Sequence, residues 1–180
     1  MGKPTTDSEV TGEQLCKSCG MCCRGVFHPR AILYDSADTA IAHRIGAQVI
    51  QDPGEEHPLF KLPCPAFAGL CSVFPNRPSV CQKHQCQLLY DLLQEAVALP
   101  EALQCVSDTR DLLDSLLPTL QQLAHDHITQ RPEALLKKIL DQLPKEEDRR
   151  AFKKKHSLLL LQYGLFLRAR DSHFYPDTDA

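Results

Sequence analysis

Eight of the nine cysteines in this 180-residue chain fall between Cys16 and Cys86, and that crowding limits the fold more than any other feature. The first group is Cys16, Cys19, Cys22 and Cys23, two CxxC steps in succession closed by an adjacent pair. A spacing of two turns both sulfurs to one side of a tight or helical turn, the arrangement found where backbone wraps a zinc ion or an iron-sulfur centre. On a helix, steps of about 100° would place Cys16, Cys19 and Cys23 within about 60° of each other and displace Cys22 by about another 60°. Adjacent cysteines rarely share one ion in unstrained geometry. The Cys22–Cys23 pair therefore reads as two neighbouring metal centres or one polynuclear cluster.

The second group is Cys64, Cys71, Cys81 and Cys86, set among Pro63, Pro65, Gly69, Pro75 and Pro78. Those residues forbid one continuous helix, so turns and loops are expected. Such a segment carries little apolar surface with which to order itself, and coordination supplies a reason for it to hold a shape. Closing the connection from Cys23 to Cys64 costs roughly 3 kcal/mol of loop entropy. One tetrathiolate zinc site returns ~10–16 kcal/mol. Coordination outweighs closure, although ordering both segments also needs packing from the helices that follow, at ~1–2 kcal/mol of backbone entropy per residue.

Thiolate donors favour zinc, iron or an iron-sulfur cluster over the oxygen-seeking magnesium and calcium, and sulfur alone does not separate zinc from iron. Met1 to Glu13 is polar and lacks the apolar stretch of a secretory peptide. A cytoplasmic setting is expected, and in such a reducing compartment clustered cysteines are read as metal ligands before disulfides. The odd cysteine, Cys105, lies on an apolar helical pattern with Leu103 and Val106 and reads as a core residue. A formal net charge of −3 gives no general reason to bind nucleic acid. The apolar window 158–167 is too short for a membrane span and is interrupted by Gln162, Tyr163 and Gly164.

Beyond residue 88 the apolar residues recur at three and four, as in Leu88, Leu89, Leu92 and Leu93. With 43% hydrophobic residues but few aromatics, the apolar mass is mostly Leu, which favours helix. Pro100, Pro118, Pro132 and Pro144 each read as the first turn of a new short helix. The longest helix is expected over 145–170, with Glu146, Glu147 and Asp148 in its first turn and Arg168 and Arg170 in its last. This region reads as a bundle completing the core rather than a docking surface. The run Lys153, Lys154, Lys155, His156 reads as a solvated helix face, and His125 and His127, two apart, cannot share an ion from one helix.

Taken together, Cys16, Cys19, Gly20, Cys22 and Cys23, then Cys64, Pro65 and Phe67, then Cys71, Arg77, Pro78, Cys81 and Cys86 resemble the YkgJ-type cysteine-cluster family of zinc- or iron-chelating domains. In that family a CxxCGxCC motif precedes a CP-aromatic segment, an Arg-Pro pair and closing cysteines. The match covers about residues 15–90. The resemblance implies metal binding through all eight cysteines. Some relatives are flagellin lysine N-methylases, in which such a cluster serves methyl transfer with an iron-sulfur centre, but this chain shows no Gly-rich loop for a methyl donor. The expected architecture is mainly α: a flexible polar leader over 1–14, an irregular cysteine-rich metal-binding module over 15–90, and a helical region over 91–175 packed on it. The function expected is that of a metal-binding module, structural or binding in role, whose partner is a metal ion and whose protein partner is unknown. An iron-sulfur redox or methyl-transfer enzyme is the alternative. His28, Arg77 and His84 are the polar residues expected just outside the ligand set.

Overall fold

The computed structural model describes residues 7–175. Those residues contain eight α-helices and one three-stranded sheet, so the fold is mainly α. They fall into two compact units divided between Leu103 and Gln104. Residues 1–6 of the expected polar leader lie outside the described part.

In the first unit, α1 (Asp7–Cys19) starts within the expected leader and buries Leu15. It packs against α4 (Gln87–Leu93). Gly12 permits the approach, since a Cβ there would meet Leu89 Cδ1 at 3.2 Å and Leu93 Cδ2 at 3.3 Å. Between them lie β1 (Arg30–Ile32), α2 (Ser36–Arg44), β2 (Val49–Ile50) and β3 (Leu59–Lys61), followed by a 3-10 turn at Phe74–Asn76 and α3 (Ser79–Lys83). The strands pair antiparallel in the order β1-β3-β2, with Ala31 and Val49 both opposite Phe60. The sheet lies outside what the sequence pattern predicts, because strands of two and three residues are too short to show an alternation.

Phe60, Leu33, Ala42 and Ala47 form a buried cluster under the sheet, and Cys64, Val80 and Cys81 pack against it. Helix α2 starts cleanly because the Asp35 carboxylate accepts the Asp38 N–H at 2.8 Å.

The second unit holds most of α5 (Leu99–Ala124), then α6 (Pro132–Asp141), α7 (Glu146–Lys155) and α8 (Ser157–Phe174). Leu113, Leu116, Leu117 and Leu120 of α5 are buried at helical spacing. Pro132 begins a helix as expected, but Pro118 does not: it lies inside α5, the longest helix. Pro118 and Asp114, four residues back, are both exposed, so the hydrogen bond a proline cannot donate is lost on the solvent side, where the loss costs least. The single helix expected over 145–170 is also divided. His156 (φ −113°, ψ 30°) breaks it, with its ring 4.7 Å from that of Phe152. The acidic first turn therefore belongs to α7, whose last turn is Lys153, Lys154 and Lys155, all exposed. His125 (φ 49°) follows the end of α5, so His125 and His127 are not on a helix.

Candidate metal centre

Cys16 and Cys19 ride on the last turn of α1, which stops at Cys19. Gly20 (φ +63°) then turns the chain, and tight bonds follow: Arg24 N–H to the Gly20 carbonyl at 2.9 Å, Gly25 N–H to Cys22 at 3.0 Å, Val26 N–H to Met21 at 3.0 Å. Met21 and Val26 are buried and pin this loop. The helical rotation considered for Cys22 and Cys23 thus applies only through Cys19. Gly20 has a second reason to be glycine: a Cβ there would stand 2.0 Å from Phe67 Cζ. The glycine of the first motif and the aromatic residue of the second are one contact.

The backbone joins the two groups directly, as Cys64 N–H donates to the Cys23 carbonyl at 2.7 Å. From there Phe67 N–H bonds the Cys64 carbonyl at 3.1 Å, and Phe67 and Cys71 form an isolated antiparallel bridge. Arg77 holds the next turn. Its Nε donates to the Cys81 carbonyl at 3.0 Å, its guanidinium to the Phe74 carbonyl at 2.8 Å, and its plane stacks 3.7 Å from the Phe74 ring. Cys86 occupies the N-cap position of α4, where burial raises its pKa and the nearby backbone, Leu89 first, pulls the other way.

A residue the sequence reading passed over sets the position of α3. Asp38, 3% exposed, accepts hydrogen bonds from Ser79 N–H (2.7 Å), Ser79 Oγ (2.5 Å) and Tyr34 N–H (3.1 Å). Burial alone would raise its pKa, but the Ser79 and Tyr34 bonds win and hold the carboxyl below its ordinary value. Nothing local in the sequence marks Asp38, since its main partner is 41 residues away.

These constraints bring the thiols around a cavity of about 280 Å³. Cys16, Cys22, Cys23, Cys64, Cys71 and Cys81 line it, as do His28, His84 and Arg77, while Cys19 and Cys86 lie outside its walls. No cysteine among the described residues is in a disulfide. His84 Nε2 is 3.7 Å from Cys22 Sγ, and the His28 ring meets the His84 ring edge-on at 5.6 Å. Both imidazoles are exposed. Cys105 lies past the division of the chain, half-buried on α5, and its carbonyl accepts the Thr109 hydroxyl.

The electrostatics of the cluster favour neutral thiols when no cation is present. Burial, followed by the neighbouring thiols, pushes Cys23 and Cys81 up to about 12 and raises Cys22 well above the ordinary thiol value. Cys64 and Cys86 are raised by burial too. Cys16 is exposed as a residue, yet the protein around its sulfur still disfavours the thiolate, with Arg77 pulling the other way. Among the described residues no three His, Cys, Asp or Glu side chains stand as a ready-made ion site. Six of the thiols line one cavity without forming a closed shell. As a donor set they fit a soft cation, because positive charge at their centre removes the penalty that burial and mutual repulsion place on ionisation.

A family model headed CxxCxxCC, with the description "Putative zinc- or iron-chelating domain", matches residues 15–105. No curated protein and no solved structure matches the chain. Among the described residues no helix is long and apolar enough to cross a membrane.

Proposed function

We propose, from the premise that this chain belongs to the CxxCxxCC family of zinc- or iron-chelating domains, that it is a cytoplasmic metal-binding module with Cys16, Cys19, Cys22, Cys23, Cys64, Cys71, Cys81 and Cys86 as ligands. The observation that carries this reading is the meeting of two distant cysteine groups, joined by the Cys64 to Cys23 backbone bond, with Cys16, Cys22, Cys23, Cys64, Cys71 and Cys81 lining one cavity. A bound ion supplies the charge that lets the thiols ionise. The chain supplies the rest: α1 and α4 present Cys16, Cys19 and Cys86, while Arg77 fixes the turn before Cys81 and Asp38 fixes α3. His84 stands within hydrogen-bond reach of the Cys22 sulfur and orients it. On this reading residues 15–90 are the metal module and 91–175 a helical region.

The test is anaerobic purification of the untagged protein followed by elemental analysis and a visible spectrum. Zinc or iron is expected, a colourless preparation meaning zinc-thiolate and a brown one an iron-sulfur centre. Cys19→Ser should lower the metal content and Cys105→Ser should leave it unchanged. Equal content in wild type and Cys19→Ser would sink the ligand assignment.

A further inference from the structure

Helix α8 is apolar on both of its faces. Leu159, Phe166 and Phe174 are buried and anchor it in the second unit. The opposite face is exposed, and it carries Leu158, Leu161, Gly164 and Leu165 where a helix solvated on that side would carry polar groups. Leu158 is 69% exposed, Leu161 59% and Leu165 45%. The three leucines step by three and four, the spacing of a seam between paired helices, and exposed Arg168 continues the same row. A Cβ at Gly164 would meet nothing within 4 Å, so the row has a notch beside its middle where a second backbone can come close. The bundle expected of this region thus accounts for one face of α8 and leaves the other in water.

We propose that two copies of the chain meet on this face, α8 against α8 and antiparallel. The charges at the ends of the row select both the occupant and its direction. Lys153, Lys154 and Lys155 are exposed just before the leucines, and Asp171 is exposed just after Arg168. With the copies antiparallel and Leu161 packed on the partner's Leu165, Leu158 lies under the aliphatic stem of the partner's Arg168 and Lys155 comes opposite the partner's Asp171. A parallel pair would set Lys155, Arg168 and Asp171 each beside its own copy, like charge against like. The antiparallel pair is two-fold and closed, so it gives dimers rather than filaments. Three leucines a side fall short of the ~1,200 Å² that stable interfaces bury, so the dimer is weak and its population rises with concentration. Nothing in this inference depends on the thiols.

The experiment is sedimentation equilibrium of the full chain under reducing conditions, so that no disulfide links copies, from low micromolar to near-millimolar concentration. A monomer–dimer equilibrium is expected. Leu161→Glu should weaken it by about tenfold or more while the helical circular dichroism stays that of wild type. Leu165→Glu repeats the test should Leu161→Glu lose helicity. Lys155→Glu should weaken the dimer a few-fold, and adding Asp171→Lys should restore it. A wild type that stays monomeric throughout overturns the proposal, including the case in which the leucine row then proves to hold phosphatidylserine vesicles or a different protein. A dimer that Leu161→Glu and Leu165→Glu leave unchanged overturns it too, and one that Lys155→Glu does not weaken overturns the antiparallel direction.

Discussion

Gly20 and Phe67 show what a motif residue does when it binds nothing. A left-handed backbone and a ring lying where a Cβ would be both require glycine at 20, and together they lock the turn that separates Cys19 from Cys22. Gly20→Ala should destabilise the protein by about 1–3 kcal/mol in urea unfolding and weaken zinc retention. Gly20→Ala combined with Phe67→Ala should recover part of that loss, since the clash disappears and only the backbone strain remains. A double variant no better than Gly20→Ala alone would contradict the contact. Asp38 acts at the same scale from outside the motifs. Removing its carboxylate leaves Ser79 N–H and Oγ without a buried acceptor, so Asp38→Ala should cost about 1–3 kcal/mol. Ser79→Ala in the Asp38→Ala background should cost far less than it does alone. The candidate cysteines stand out by their spacing because each CxxC step is local. Asp38 does not, because a buried hydrogen-bond partner far along the chain leaves no local pattern.

At the level of elements, the helical region was readable from its apolar period, and its punctuation was not. Proline predicts a helix start only where its missing N–H belongs to the first turn; Pro118 sits on an exposed stretch of α5 that tolerates the lost bond. The break at His156 separates α7 from α8, and three acidic residues opening α7 with three lysines closing it suit a helix that ends there. The loop after α5 is held by Asp126, whose carboxylate accepts from Thr129 N–H and Oγ, Ile128 N–H and Lys138. The Thr129 backbone bond is the largest influence that draws its pKa down to about 2. A carboxyl depressed in the folded state stabilises above its ordinary value of about 4 and loses that contribution as pH falls toward 2. Melting temperatures at pH 5 and pH 2.5 should therefore converge between wild type and Asp126→Ala, which is expected to be about 1 kcal/mol less stable at pH 5. A gap unchanged between the two pH values would contradict this role.

For the whole molecule, the cysteine module behaves as a charge problem that a cation resolves. Cys23 and Cys81 hold their protons up to about 12 in the folded chain, against an ordinary thiol value of about 8.5 in the unfolded one. The folded metal-free form therefore binds more protons than the unfolded form above that ordinary value. Its stability is fully present below about pH 8.5 and declines as pH rises toward 12. In the metal-loaded form the thiols are already ionised, so this decline should be absent. Melting temperature between pH 7.5 and 10 should fall more steeply for stripped than for zinc-loaded protein, and parallel slopes would argue that these thiols are not the ligands. The most direct measurement is X-ray absorption at the metal edge of the reloaded, untagged protein. Four sulfur neighbours at about 2.3 Å around each zinc is the predicted result, and a shell dominated by nitrogen or oxygen would contradict the claim that these two stretches of chain are held together through sulfur.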